Sequence, residues 1–206
     1  MCYCVLVTSL LAYPLSKQRI IGRRFFLMLI AFTLIFNGGL IPTFLVVQQT
    51  GLINTTWAMV IPTLVTTFYF FIMKTFFEGL PEELEDAAKI DGSNYLGILL
   101  RIVLPLSMPV MATIGLFIAV GQWNSFFDAL IYLNDRDMFP LQIHLRNIVI
   151  ANSAAAQTEV RDGEEMIIME TVKYATIMFA TLPILFTYPF IQKYFVQGAM
   201  IGSVKG

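Results

Sequence analysis

Acidic side chains, two alanines and a glycine stand close together in one segment of the chain. The segment contains Glu82, Glu83, Glu85, Asp86, Ala87, Ala88 and Gly92. Ionised carboxylates make charge-assisted hydrogen bonds to Arg or Lys of another protein, and alanines let a partner's surface approach closely. The pattern predicts a docking surface; the alternative is an amphipathic helix that rests on lipid. Helices on a lipid surface favour Lys and Arg on their polar face, so this run of acids favours docking on a protein.

Side chains that could catalyse a reaction are scarce. His144 is the single histidine, and Cys2 and Cys4 are the two cysteines, placed two apart in an apolar run. No cluster of His and Cys completes a metal site, and no G-x-x-x-x-G-K-[ST] loop is present to cradle the phosphates of a nucleotide. We therefore expect no catalytic residue, no metal and no cofactor in this chain.

A second group of polar and aromatic residues lies inside apolar stretches. Trp123, Asn124 and Asp128 lie in one such stretch, and Asn37 lies in another. Polar groups at membrane depth are costly and usually face the protein interior or a water-filled path. Aromatic rings stack on sugar rings and amides hydrogen-bond to hydroxyls, so these residues are candidates for a solute pathway. The alternatives are an interfacial belt for Trp123 and Asp128 and a simple helix break at Asn37.

The composition indicates a membrane protein. Of the 206 residues, 57% are hydrophobic and 13% are charged, and the mean hydropathy is +0.74. Soluble domains are usually about 45–50% apolar and about 25% charged, so this chain has too little polar surface to cover a globule in water. The formal net charge of −1 gives no reason to expect a nucleic-acid partner.

Four stretches are long enough to cross a bilayer, which takes about 20 mostly apolar residues. They cover residues 25–47, 56–77, 106–133 and 174–195. Residues 1–15 are also apolar, but at about 1.5 Å rise per residue they cover only about 22 Å. We interpret them as the cytoplasmic half of a helix that begins outside this chain. The expected fold is all-α, a polytopic transmembrane helix bundle of one domain that is incomplete at its N-terminus.

Basic residues predict the orientation of these spans, because Lys and Arg resist translocation. Nine of the 13 basic residues fall in one set of alternating loops. We predict that this set, with the 78–105 loop and the C-terminus, faces the cytoplasm, and that the 134–173 loop faces outward. A loop of that length is usually functional or disordered. Contact with an external protein is our hypothesis for it, and a flexible acidic loop is the alternative.

The predicted cytoplasmic loop has the signals of two short helices. Pro81 suits a first helical turn, and the acids after it favour the positive N-terminal end of a helix. This helix should stop at Gly92, where glycine can take the left-handed conformation. Ser93 is the expected N-cap of a second helix over residues 94–103, which Pro105 should end before the membrane.

Two short motifs stand in this loop at a fixed separation. They are Glu85-Asp86-Ala87-Ala88-Lys89-Ile90-Asp91-Gly92 and Ile102-Val103-Leu104-Pro105. Together they resemble the EAA motif of ABC importer permeases, E-A-A-x-x-x-G followed by I-x-L-P. Asp86 occupies the position of the motif's glutamate, which keeps the charge and shortens the reach. The form P-x-E-L-E-x-A-A-x-I-D-G is similar to the carbohydrate branch of these binding-protein-dependent permeases.

The resemblance implies the transmembrane permease subunit of an ATP-driven importer, with a sugar or oligosaccharide as its solute. The implied partners are ABC ATPase subunits, a second permease subunit forming a heterodimer, an extracytoplasmic solute-binding protein and the lipid bilayer of the plasma membrane. Residues 83–92 would form a coupling helix that docks in a groove on the ATPase, so another chain would hydrolyse ATP and this one is not itself an enzyme. The residues implied in coupling are Glu83, Glu85, Asp86, Ala87, Ala88, Asp91, Gly92, Leu104 and Pro105.

Two other classes of membrane protein compete with this interpretation. A secondary transporter tends to show inward-facing charges or inverted repeats, whereas this sequence shows no repeat and Asp128 is nearly alone as a charge within the spans. A membrane enzyme would need a nucleophile–base pair or metal ligands, and the sequence offers neither.

Overall fold

The computed structural model describes residues 2–158 and 170–186, and every secondary-structure element within them is helical. In chain order the elements are α1 (Cys2–Ser16), α2 (Arg23–Ile35), α3 (Leu40–Gln49), α4 (Trp57–Val60), α5 (Thr67–Glu78), α6 (Glu82–Ile90), α7 (Tyr95–Ile98), a π-helical segment (Leu99–Val103), α8 (Leu104–Leu106), α9 (Met108–Asn124), α10 (Phe127–Tyr132), a 3-10 turn (Arg136–Met138), α11 (Leu141–Thr158) and α12 (residues 170–186). The expectation of an all-α fold is confirmed.

Helices α1 and α5 pack along each other and form the centre of the described structure. In α5 the buried side chains Phe70, Met73 and Phe77 are spaced by three and four residues, which places them on one face of the helix. Ala12 of α1 and Ile114 of α9 are fully buried in the same cluster. The small Ala12 side chain lets helices approach closely, which is how membrane helices gain packing contacts.

The predicted span 25–47 is two helices and not one. The axes of α2 and α3 meet at 117°, and the break falls at Asn37-Gly38-Gly39. Gly39 has a φ of 89°, a conformation that glycine adopts without steric cost. The Asn37 Oδ1 atom accepts a hydrogen bond from the Gly39 N–H at 3.0 Å, so the side chain stabilises the break. The helix break at Asn37, one of the two interpretations of that residue, is confirmed.

The next two predicted spans are also discontinuous. In the 56–77 stretch, the single-turn α4 ends before Pro62, and α5 begins only five residues after that proline. Proline lacks a backbone N–H and clashes with the preceding turn, so it ends a helix. In the 106–133 stretch, α9 and α10 are separated by a break in which Ser125 is extended (φ −72°, ψ 109°).

In the described residues no single helix is both long and apolar enough to cross a bilayer, but two bent pairs are by length and composition: α2 with α3, and Tyr95–Leu106 with α9. The fourth predicted span, 174–195, is helical as far as residue 186, and the rest of it lies outside the described residues. In α2, Ile35 is 90% exposed, and most other large apolar side chains of that helix are exposed too. Such an apolar face suits lipid or a second membrane protein. The spans themselves remain a prediction.

The segment expected to be a long external loop is largely helical where it is described. Helix α11 follows the 3-10 turn, and α12 begins at residue 170; residues 159–169 lie outside the described part. Ile143 of α11 is 2% exposed and packs in one cluster with Ala129 and Leu133 at the end of α10. The alternative of a flexible loop is wrong for α11, because this packing against α10 stabilises a helix; contact with an external protein stays a prediction.

Asn54 ties the start of that segment to the loop between α3 and α4. Its φ is 59°, a left-handed conformation that asparagine tolerates better than most residues. The Asn54 Oδ1 atom accepts hydrogen bonds from the backbone N–H groups of Asn134 and Asp135, each at 3.0 Å. The Asn54 N–H donates to the Tyr132 carbonyl oxygen at 2.8 Å. The loop over residues 48–55 contains no charged residue, and the alternation of the predicted spans places it on the same side as the 134–173 loop. The two loops that are predicted to face outward are therefore in direct contact.

We expect Asn54→Ala to destabilise the protein by about 2 kcal/mol, since it removes the shared acceptor and leaves a strained positive φ. Asn54→Asp retains both the acceptor and the tolerance of that φ, so its loss should be smaller. Thermal unfolding of the detergent-purified protein measures both effects. An unfolding midpoint of Asn54→Ala equal to that of the parent would contradict this role.

Candidate functional site

Helix α6 begins and ends where the sequence predicts. Pro81 directly precedes it with an extended ψ of 128°, and three glutamates occupy the first turn, where they complement the helix dipole. After Ile90 the chain turns at Gly92, whose φ is 79°. The Ser93 N–H then donates to the Ala88 carbonyl oxygen at 2.9 Å, which is the bond of a glycine-terminated helix end. The glycine prediction is confirmed.

The two sides of α6 differ sharply in exposure. Glu85 and Ala88 are each 6% exposed, and we call this pair the inner face. Successive helical residues are about 100° apart, so the opposite side carries positions 83, 86, 87 and 90. This outer face consists of Glu83, Asp86, Ala87 and Ile90, all exposed.

Glu85 lies on the inner face and forms an ion pair with Lys17, which follows α1 directly. The two side chains are 8% and 24% exposed, respectively. The sequence grouped Glu85 with the other acids as a contact for a partner, but its partner here is within the chain. Adjacent acids thus differ in exposure: Glu85 is buried, whereas the Asp86 side chain is 59% exposed at the edge of the cavity that Lys17 also lines.

Asp86 and Lys89 form the exposed ion pair of α6, with Oδ1 and Nζ 2.8 Å apart. The hydrogen bond from Lys89, aided by its charge, lowers the pKa of the Asp86 carboxyl below its usual value. The reciprocal hydrogen bond to Asp86 raises the pKa of the Lys89 ammonium. Both groups are therefore charged near neutral pH, and the outer face carries a fixed carboxylate beside Ala87 and Ile90.

The second helix of the loop departs from the prediction at both ends. Asn94, and not Ser93, is the N-cap, because its Oδ1 atom accepts from the Gly97 N–H at 2.7 Å. Pro105 does not end the helix: a π-helical segment precedes it, and α8 contains it. Pro105 has no backbone N–H to donate. The widened π turn lets the helix continue past this residue without that hydrogen bond. The chain bends only at the buried Ser107, by 78°.

Leu104 and Pro105 lie in α8, which follows α6, α7 and the π-helical segment along the chain. Leu104 is half-buried against the core cluster, and Pro105 is exposed. The second half of the motif therefore connects α6 to the bend before α9. Asp91 lies at the exposed end of α6.

Two neighbouring cavities hold most of the predicted solute-pathway residues. One measures about 380 Å³ and has Asn37 and Asp128 in its wall. The other measures about 350 Å³ and has Asn124 and Asp128 in its wall. Both also contain Thr63, so the Thr63 and Asp128 side chains stand at the boundary between them. The structure brings together three of the four predicted residues.

Trp123, the fourth predicted pathway residue, contacts α12 instead of these cavities. Its indole N–H donates to the Ala180 carbonyl oxygen of α12 at 3.3 Å, and it lines neither of the two cavities. Its neighbour Gln122 lines the second cavity instead, and its amide donates to the Thr63 hydroxyl at 3.3 Å. The residues predicted to line the pathway did not include Gln122, although it belongs to the same polar run as Trp123, and Thr63 was missed. A polar residue within the apolar α9 and a hydroxyl directly after Pro62 were the available signals.

The wall chemistry of these cavities suits hydrogen bonding to a neutral polar molecule and contact with its apolar faces. Amide, hydroxyl and carboxylate groups line them beside the aromatic rings of Tyr69 and Phe117, which stack at 6.2 Å between centroids. Within residues 2–158 and 170–186, no three His, Cys, Asp or Glu side chains are grouped closely enough to hold a metal ion.

Comparison with known proteins gives consistent matches over almost the whole chain. Residues 5–200 match the family described as binding-protein-dependent transport system inner membrane component. The chain is 48% identical over 202 residues to the polygalacturonan/rhamnogalacturonan transport system permease protein YtcP of Bacillus subtilis (strain 168), a match that covers 97% of this chain and 70% of that protein. It is 48% identical over 199 residues to protein LplC of the same organism, covering 97% and 68%. The crystal structure of a bacterial ABC transporter involved in the import of the acidic polysaccharide alginate matches with a TM-score of 0.80 and 36% identity, covering 94% of this chain and 72% of that chain.

Thiol reagents can test whether water reaches the two cavities. In a background with Cys2→Ser and Cys4→Ala, we expect Thr63→Cys to react with a water-soluble maleimide about tenfold faster than Ile114→Cys, because thiol reactivity requires access. Ile114 is fully buried and serves as the matched control. Labelling of membrane vesicles, followed by mass spectrometry, gives both rates. Equal, slow labelling at both positions would show that the cavities are closed to water.

Proposed function

This chain belongs to the family of binding-protein-dependent transport system inner membrane components, and on that premise we propose that it is a permease subunit that imports a sugar or oligosaccharide and is driven by separate ATPase subunits. The observation that carries the proposal is the outer face of α6. A transport permease component lacks catalytic machinery of its own, so the energy must enter through contact with another protein. Helix α6 supplies that contact.

The outer face has the properties of a surface that docks on a partner protein. Its residues recur at i, i+3, i+4 and i+7, the spacing by which a helix fills a groove on a partner. Ile90 is 87% exposed, and an apolar anchor of this kind is typical of the centre of an interface. Ala87 allows close approach, while Glu83 and Asp86 are available for Arg or Lys of the ATPase. Gly92 fixes where α6 ends and hence its angle to α7.

The solute is proposed to cross through the two cavities that share Thr63 and Asp128. Their amide, hydroxyl and carboxylate groups match the hydroxyls of a sugar, and the adjoining aromatic rings match its apolar faces. The printed names of the similar proteins, a polygalacturonan/rhamnogalacturonan permease and an alginate importer, support a carbohydrate as the solute class.

The remaining partners are proposed from the faces left exposed. The apolar face of α2 would contact lipid or a second permease subunit, and a heterodimer is our expectation. The segment held by Asn54, from Asn134 to the start of α11, would meet the solute-binding protein outside the cell. This requires α6 and the C-terminus to lie in the cytoplasm, as the distribution of basic residues predicts.

We expect the tagged chain, purified with its importer in mild detergent, to retain the ATPase subunit. Ile90→Asp should reduce that retention by about tenfold, the effect of losing an interface anchor. Gly92→Val should do the same, since a β-branched residue is strained at a φ of 79°. Quantitative immunoblotting of the ATPase subunit in the eluate measures retention. Full retention by Ile90→Asp would rule out the outer face of α6 as the docking surface.

Membrane insertion of these variants should remain normal, because neither residue packs in the core. Total chain in the membrane fraction, measured on the same blots, is the control. Glu82→Gln is the matched surface variant: Glu82 is exposed on α6 but outside the outer face, and the ATPase should be retained at the parental level.

The solute class is tested by ATP-dependent uptake into proteoliposomes containing the complete importer and its solute-binding protein. We expect accumulation of a labelled oligosaccharide from a panel of oligogalacturonides, oligorhamnogalacturonides and neutral oligosaccharides. Asp128→Ala should lower uptake, since it removes the carboxylate shared by both cavities. Uptake of amino acids or peptides but of no oligosaccharide would contradict the carbohydrate assignment.

A further inference from the structure

The inner face of α6 has one charged contact with the rest of the described chain, the ion pair between Glu85 and Lys17. Lys17 lies immediately after α1, and 68 residues separate it from Glu85. Ala88, the other inner-face residue, contributes only a methyl group to the core cluster. A cavity of about 790 Å³, bordered by α1, residues 17–20, α6 and α7, lies beside the pair. Bulky packing therefore does not hold α6 on this side.

Lys17 is itself firmly connected to the centre of the structure. Its Nζ atom lies 5.3 Å from the centroid of the Tyr13 ring, within the range of a cation–π interaction. The Tyr13 ring packs edge-on against Phe77 of α5, with centroids 6.1 Å apart. The contacts run without interruption from α6 through Lys17 and Tyr13 to the packed α1–α5 pair.

A second set of contacts braces the turn that carries Lys17. Arg23 forms an ion pair with Glu78 at the end of α5, and its Nε atom donates to the Leu15 carbonyl oxygen at 2.9 Å. Lys74 also pairs with Glu78, at 2.8 Å. The turn between α1 and α2 is thereby fixed to α5. A displacement of Lys17 is therefore transmitted to the core.

We propose that the Lys17–Glu85 ion pair transmits movements of α6 to α1 and α5, which makes Lys17 and Glu85 positioning residues for the coupling of ATP hydrolysis to transport. The proposal rests on the proposed function, because it takes the outer face of α6 as the ATPase contact. The two adjacent acids then have different roles: the exposed Asp86 is accessible to the partner, and Glu85 holds the helix to its own core. A partly buried pair in a medium of low dielectric resists separation more than an exposed one, so the two ends move together.

The test follows the pathway cavity while the ATPase is driven through its cycle. Thr63→Cys is placed in the complete importer with its ATPase subunits, without Cys2 and Cys4, and its labelling by a water-soluble maleimide is measured with and without ATP and vanadate. We expect trapping by ATP and vanadate to change the labelling rate several-fold in the parent. Lys17→Met and Glu85→Gln should abolish that change, although the ATPase subunit is still retained because the outer face is intact.

Charge exchange distinguishes a pair from two independent residues. Lys17→Glu combined with Glu85→Lys should restore most of the response, and the conservative Lys17→Arg should keep it. Lys173→Met removes an exposed lysine of α12 that belongs to neither set of contacts, and the response should stay at the parental level. A parental response in Lys17→Met overturns the proposal, and so does loss of the response in Lys17→Arg. Absence of the ATPase subunit from the parent complex is a different result, since it refutes the proposed function.

Discussion

The ion pair between Lys17 and Glu85 is the charged contact that joins the buried side of α6 to the turn after α1. A helix with four acidic residues, at Glu82, Glu83, Glu85 and Asp86, cannot bury itself in an apolar bundle, so it must remain at the surface and still be held in a defined orientation. One inward carboxylate satisfied by one lysine does this, with Ala88 beside it. Orientation on the inner side determines what the outer side displays, because helical residues are fixed in angle to one another. Under the proposed function, the surface that the ATPase would contact is therefore oriented by an ion pair within this chain.

Charge also divides the described molecule into regions. Among residues 2–158 and 170–186, the ion pairs join α6, the α1–α2 turn and the end of α5 at one end. Between the ends, polar groups are hydroxyls and amides around two cavities, with Asp128 as their shared carboxylate. At the other end Asn54 joins the two loops that the charge distribution assigns to the outside. Under the proposed function, these regions would be the end that contacts the ATPase, the passage for the solute and the end that receives the solute.

The sequence predicts the all-helical fold. It also predicts the local features of α6, the acids at its start and Gly92 at its end, because residues close in the chain determine them. It does not predict which of two adjacent acids points inward, since that depends on Lys17, far away in sequence. Trp123 and Gln122 show the same limit. They are neighbours in a helix that is apolar all round, where periodicity gives no direction. Helix breaks at Asn37 and Pro62 are visible in the sequence, but the sequence does not give the 117° angle between α2 and α3.

Site-specific photo-cross-linking from the two sides of α6 tests most directly which face of this helix contacts the ATPase subunit. A photoreactive amino acid is placed at position 90 on the outer face, or at position 88 on the inner face, in the complete importer in native membranes. We expect an adduct between this chain and the ATPase subunit from position 90, and a cross-link within the chain from position 88. An ATPase adduct from position 88 but not from position 90 would contradict the assignment of the two faces.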